Sequence, residues 1–105
     1  MTTIEKRHYR RVPMGTQIKA EAGGKTFSME ACNISVGGML IKTPRTLEEK
    51  QNVKLEFTLP GSDHALSVQG TVQHVSPGAF MGVAFDDLAP EHRAAIVKYV
   101  NEATA

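Results

Sequence analysis

The sequence has little of several features that point to particular classes of protein. Its 105 residues include one cysteine and no tryptophan, and aromatic residues make up 6% of them. A lone Cys32 cannot form an internal disulfide, which predicts a reducing environment such as the cytoplasm. No apolar stretch reaches the roughly 18 residues that a membrane-spanning helix needs, and the N-terminus lacks the apolar run of a signal peptide. We therefore expect no membrane insertion.

Motifs that carry catalytic or metal chemistry are also missing. The sequence contains no nucleophile elbow, phosphate loop or dinucleotide fingerprint. Asp86-Asp87 precedes Pro90, which is typical of a turn into a helix. The histidines lie on separate segments without the close spacings of a metal site; they are His8, His64, His74 and His92. We predict that the protein is not an enzyme and holds no metal.

Alternation of polar and apolar residues runs through most of the chain and predicts β-strands. The clearest case is residues 53–59, in which every second side chain is apolar. Gly23-Gly24 separates two alternating segments, as in a hairpin. The predicted strands cover residues 16–22, 25–32, 39–41, 53–59, 66–72 and 81–85. Several short strands joined by turns indicate an antiparallel barrel or sandwich.

A helix is predicted at the C-terminal end of the chain. Pro90 suits the first helical position, and Glu91 places an acidic side chain in the first turn. A stripe with helical spacing follows, formed by Arg93, Ile96, Val97 and Val100. We expect this helix to end near Asn101 and to pack across an open part of a barrel.

Positive charge is concentrated near the N-terminus, although the net charge is only +1. Lys6 and Arg10 accompany Arg7 and Arg11, and the last two have an R-x-x-x-R spacing. An arginine fork donates two parallel hydrogen bonds to a phosphate or a guanine edge, and its flat face stacks on a purine. Residues 1–14 show little apolar periodicity, so we interpret them as a flexible arm. Alone, such a cluster is typical of a solvated basic tail.

A second polar motif lies between two predicted strands. Asn33, Ser35 and Gly38 form an N-x-S-x-x-G spacing. An amide and a hydroxyl at a strand end supply hydrogen-bonding groups for the polar edge of a base, and a glycine lets the backbone approach a ring closely. The alternative interpretation is a ligand-free β-turn, which Asn33 and Ser35 cap and in which Gly37-Gly38 supplies positive φ.

The two motifs, in this order and ahead of alternating strands and a closing helix, resemble the PilZ domain family of bacterial receptors for cyclic di-GMP. The resemblance covers nearly the whole chain. It implies an all-β fold, namely a six-stranded antiparallel β-barrel with a C-terminal α-helix and a flexible N-terminal arm. Residues 1–105 would form one PilZ domain, divided into an arm (1–14), a barrel (15–87) and a helix (88–102).

The resemblance also implies roles for individual residues. Arg7 and Arg11 would contact the phosphates and a guanine Hoogsteen edge, while Asn33, Ser35 and Gly38 would contact a guanine. Asn33 lies within the family's choice of Asp or Asn, which we expect to tune affinity. Weaker candidates for ligand contact are Lys6, His8, Arg10, Val36 and Gly37. Family members take one ligand or an intercalated pair, and both stoichiometries stay open here.

The function implied is that of a cytoplasmic receptor without a cofactor. Its arm would change conformation when cyclic di-GMP binds and would signal to an unidentified downstream effector protein. One alternative is a ligand-independent protein-interaction module, because some family members have lost the arginines. A small nucleic-acid-binding barrel is the other alternative, although the charge of +1 and the few aromatics disfavour it.

Overall fold

The computed structural model of the chain describes residues 11–43, 47–76 and 80–103. These residues form strands and a terminal helix in the predicted order. Their bounds are β1 (Val12–Ala22), β2 (Lys25–Ile34), β3 (Gly38–Lys42), β4 (Asn52–Thr58), β5 (Ala65–Ser76), β6 (Phe80–Phe85) and α1 (Pro90–Ala103). β1 begins at Val12, so residues 12–14 of the predicted arm belong to the barrel. The buried side chains of Val12 and Met14 explain this difference. Residues 1–10 lie outside the described ranges.

The strands form a closed antiparallel barrel in the order β1-β2-β3-β6-β5-β4. Pairing of β1 with β4 closes it, through Lys19 with Glu56 and Ala20 with Leu55. The prediction of a six-stranded barrel is therefore confirmed, and the sandwich alternative is excluded. Closure matters for the surface, because neighbouring strands present their outward side chains on one continuous wall.

The barrel interior is filled by apolar side chains at alternate strand positions, except where a bulge interrupts the alternation. In β4 these are Val53, Leu55 and Phe57, each at most 4% exposed. The predicted alternation is thus correct along the clearest strand. Methionines from β2, β3 and β6 also lie in the core, where their unbranched side chains fill irregular space.

The helix α1 lies at the end of the barrel where β1 begins. Ile96 and Val100 are buried and belong to the main hydrophobic core. The Tyr99 hydroxyl donates a hydrogen bond to the Pro13 carbonyl oxygen at 2.9 Å. Pairing of β1 with β4 closes the barrel wall, and α1 buries its apolar side chains at the end of the barrel. The helix is neither long nor apolar enough to cross a membrane.

Register shifts in the barrel change which side chains reach the outer wall, and two of them lie close to the turn between β2 and β3 and to the end of β5. The β2–β3 register shifts between Ala31 and Asn33, and the β5–β6 register shifts between Val72 and His74. Each shift inserts one extra residue into its strand, so two consecutive side chains point outward. In β5 these are Gln73 and His74, both exposed beside the buried Val72. Bulges are frequent next to functional sites.

Candidate functional site

The turn between β2 and β3 is built around the side chain of Ser35. Its hydroxyl oxygen accepts hydrogen bonds from the backbone N–H groups of Gly37 at 3.1 Å and Gly38 at 3.2 Å. The hydroxyl also lies 3.4 Å from the Gly38 carbonyl oxygen, to which the Ser35 backbone N–H donates at 2.8 Å. Ser35 is only 7% exposed. Its hydroxyl therefore shapes the turn, as the ligand-free interpretation of this segment predicted.

The close approach of strand β6 requires a glycine at position 38. A Cβ placed on Gly38 would overlap the Val83 carbonyl oxygen and lie 3.3 Å from the Ala84 Cα. Both are backbone atoms of β6, which cannot move aside as a flexible side chain can. Neither Gly37 nor Gly38 has a positive φ, so that part of the turn interpretation is wrong. The absence of a side chain brings β3 and β6 together beneath the turn.

A cavity of about 310 Å³ opens on the outer wall beside this turn. Arg11 and the residues Ser35, Gly37 and Gly38 form part of its lining. Leu40 of β3, together with residues of β5 and β6, forms the rest. The volume lies near the lower end of the range typical of small-molecule sites, about 300–1,000 Å³. The cavity thus joins the last arginine of the first motif to the turn of the second.

The electrostatic character of the cavity favours an anionic ligand. Arg11 is exposed and carries a positive charge at its rim. No acidic side chain is found among the described residues that line the cavity. A concave surface with fixed positive charge and no opposing carboxylate attracts anions.

Several predicted site residues meet at this cavity, and others do not. Arg11, Ser35, Gly37 and Gly38 line it. Asn33 is half-buried at the end of β2, where its Cα pairs with those of Pro13 and Leu40. Its amide has no hydrogen-bond partner within the described ranges.

The remaining predicted residues divide into two cases. Val36 is half-buried and packs against the hydrophobic core, and its contact with the ligand stays a prediction. The others lie outside the described ranges; they are Lys6, Arg7, His8 and Arg10. Their assignment to the site stays a prediction.

Sequence reasoning missed two residues that the β5 bulge brings to the cavity. Gln73 and His74 both line it, opposite the glycine turn. In the sequence, His74 stands out only as one of the histidines that lie on separate segments. The sequence feature that could have revealed Gln73 and His74 is a break in the alternation of β5. The next apolar residue after the buried Val72 is the half-buried Val75, whereas regular alternation would place an apolar residue at position 74. A spacing of three between inward residues is what an inserted bulge residue produces.

Comparison with known proteins supports the same fold. The model of the PilZ domain family matches residues 5–102. Among solved structures, the Bacillus subtilis inhibitor of motility (MotI/DgrA) superposes with a TM-score of 0.83 at 17% identity, over 96% of this chain and 52% of that one. The PilZ domain of Escherichia coli YcgR with c-di-GMP gives 0.70 at 15% identity, over 95% and 92%.

A further solved structure is that of Borreliella burgdorferi PlzA in complex with c-di-GMP. It superposes with a TM-score of 0.71 at 16% identity, over 91% of this chain and 41% of PlzA. The chain thus spans about half the length of MotI and less than half of PlzA. No curated protein sequence matches the chain. At these identities the superpositions establish the barrel-and-helix architecture.

Proposed function

The chain belongs to the PilZ domain family, and on that premise we propose that it is a bacterial receptor for cyclic di-GMP. The observation that carries the proposal is the outer-wall cavity, which joins Arg11 to the Ser35–Gly38 turn. The solved YcgR domain and PlzA, which share its fold, hold this ligand in their structures. The protein in this view binds and signals, and does no chemistry of its own.

The chemistry of the cavity suits the ligand. Cyclic di-GMP carries two phosphodiester groups, and each guanine presents adjacent O6 and N7 acceptors. Arg11 supplies a planar fork that donates to either feature. The amide of Asn33, which has no hydrogen-bond partner among the described residues, adds donors and an acceptor for the guanine edge. Arg7, the other arginine of the R-x-x-x-R motif, would close over the ligand from the N-terminal side.

The signal in this proposal is a change in the N-terminal arm. Arg11 lines the cavity and immediately precedes Val12, the first residue of β1. A ligand that binds better to the closed arm shifts the population toward that form. The closed arm and the barrel wall together would form the surface that a downstream effector protein recognises in the cytoplasm.

Calorimetric titration with cyclic di-GMP at near-physiological salt tests the proposal. Wild-type protein is compared with Arg11→Ala, Arg7→Ala and the control Arg93→Ala, which removes an exposed arginine of α1 that does not line the cavity. We expect each of the first two substitutions to weaken binding by about 5-fold to about 150-fold, since a bidentate contact contributes about 1–3 kcal/mol. Arg93→Ala should bind as wild type does.

Two competitor ligands complete the design. Cyclic di-AMP lacks the O6 acceptor, and GMP lacks the second guanine and the ring of phosphodiesters, so both should bind much more weakly. If folded wild-type protein binds no cyclic di-GMP, the receptor function is wrong and a protein-interaction role replaces it. Equal loss of affinity in Arg93→Ala would point to general charge effects.

A further inference from the structure

His74 lies across the surface of β6 inside the cavity. A Cβ placed on Gly82 would lie 2.9 Å from each ring nitrogen of His74 and would also overlap its Cε1. The imidazole therefore occupies the space above the glycine that any other residue would fill. Gly82 is buried and pairs directly with His74 in the β5–β6 register. The ring is held at the floor of the cavity by the backbone beneath it.

The β5 bulge determines that this ring points outward. Regular alternation after the buried Val72 would place residue 74 in the core, but the register shift between Val72 and His74 reverses this. The ring then shares the cavity with Arg11 and the Ser35–Gly38 turn. Two local features, the bulge and the glycine opposite it, act together to present one titratable side chain to the ligand.

We propose that His74 contacts the bound cyclic di-GMP and that its protonated ring strengthens binding, so that ligand affinity rises as pH falls. The inference rests on the proposed function. Imidazole is the side chain whose charge ordinarily changes between about pH 5 and pH 8. A protonated ring donates from both nitrogens, and such charge-assisted hydrogen bonds to phosphate oxygens are stronger than neutral ones.

In the described part of the chain, His74 forms no ion pair. Arg11 lines the same cavity and carries a positive charge. Among the described residues, the charged groups on the elements packed around β5 near His74 include Arg11, Lys42, Glu48, Glu49, Lys50 and Asp86. Asp86 already accepts a hydrogen bond from the Thr71 hydroxyl at 2.8 Å. An anionic ligand therefore provides the partner for the imidazolium.

The test is calorimetric titration with cyclic di-GMP at about pH 5.5 and about pH 8, the limits between which histidine titrates. At each pH, two buffers of different ionisation enthalpy give the number of protons taken up with the ligand. Wild-type protein should bind about tenfold more tightly at the lower pH, because hydrogen bonds to charged groups are stronger than neutral ones by about that factor. It should also take up protons near neutral pH.

Three glutamine variants assign the effect to one ring. His74→Gln should remove the pH dependence and the proton uptake, while keeping a side chain that can donate a hydrogen bond. His64→Gln replaces an exposed histidine outside the cavity and should behave as wild type does. His8→Gln tests the histidine between the motif arginines and should retain most of the pH dependence.

The outcomes separate this inference from the proposed function. No binding of cyclic di-GMP at either pH would overturn the receptor function itself. Binding that is equal at the two pH values, or pH dependence that persists in His74→Gln, would overturn the role of His74 alone. Loss of pH dependence in His8→Gln instead would assign it to the arm.

A readout on wild-type protein avoids reliance on folding of the variants. The imidazole signals of the four histidines are followed by NMR during a pH titration with and without saturating ligand. We expect the midpoint of the His74 signal to move to higher pH when ligand binds, and the His64 signal to stay in place. An unmoved His74 signal contradicts the proposal.

Discussion

The hydroxyl oxygen of Ser35 lies 3.2 Å from the backbone nitrogen of Gly38 and accepts its hydrogen bond. The same oxygen accepts from Gly37 at 3.1 Å, so one side chain holds two backbone N–H groups of the turn. The serine of the second motif is thus a structural residue before any ligand arrives. Ser35 lies both inside the turn and at the cavity, so its substitution can change folding and ligand binding. The two effects are therefore measured separately.

Ser35→Ala should destabilise the protein even without ligand. It removes the acceptor of two backbone N–H groups in a nearly buried turn, and loss of such a cap typically lowers the free energy of unfolding by about 0.5–2 kcal/mol. Urea denaturation of the ligand-free protein measures this change in the free energy of unfolding. Ser67→Ala, on the exposed face of β5, is the control and should change little. Unchanged stability together with lost ligand binding would show that the hydroxyl acts on the ligand.

Gly38→Ala should destabilise the barrel more than an alanine in an open turn does. The new Cβ would meet backbone atoms of Val83 and Ala84, and such overpacking lowers the free energy of unfolding by about 1–3 kcal/mol. Gly24→Ala is the comparison, because Gly24 has φ 79° and open space around it. Backbone strain alone is expected there, at about 1 kcal/mol. Denaturation curves that rank the two variants in the opposite order would contradict the proposed role of Gly38.

Asn33→Asp should raise affinity for cyclic di-GMP severalfold. A carboxylate accepts from the N1 and N2 donors of guanine through charge-assisted hydrogen bonds, which are about twice as strong as neutral ones. Asn33→Ala should lower affinity, and Asn52→Asp, an exposed change at the start of β4, should leave it unaltered. Calorimetry at fixed pH and salt measures all three. Weaker binding of Asn33→Asp would mean that repulsion of the phosphates outweighs the gain at guanine.

Tyr99→Phe should loosen the contact between α1 and the start of β1. The variant loses the hydroxyl that donates to the Pro13 carbonyl at 2.9 Å, which corresponds to about 0.5–1.5 kcal/mol for a typical hydrogen bond. Amide exchange of α1 should become faster while that of β4, in the core, stays constant. Tyr99→Ala, which also removes the ring, should have the larger effect. Equal exchange in wild type and Tyr99→Phe would show that ring packing alone holds the helix.

Much of the fold follows from local pattern. The alternation in residues 53–59 is strict because one face of β4 is in the core and the other is in solvent, and Pro90 marks the start of α1 within one residue. Closure of the barrel was not predictable from periodicity, since pairing of β1 with β4 depends on contacts remote in sequence. A sandwich presents the same alternation.

The site residues that belong to a sequence motif could be predicted. Those that reach the cavity because of the pairing register of neighbouring strands could not. Ser35 and Gly38 were identified from spacing, yet the reason for Gly38 lies in the β6 backbone, which no local pattern reveals. Gln73 and His74 reach the cavity through a bulge. A bulge leaves only a one-residue break in alternation, and a polar pair at a strand end produces a similar break.

The hydrogen bond from Tyr99 to Pro13 joins positions 86 residues apart, and it places the entry and exit of the chain at one end of the barrel. The β1–β2 turn at Gly23-Gly24 lies at the opposite end. A polypeptide fused before β1 or after α1 would therefore extend from the same end of the barrel. The opposite end would stay exposed. Such a fold can be inserted into a longer chain, because its two ends lie close together. New termini opened between residues 23 and 24 would give a circular permutant with little strain.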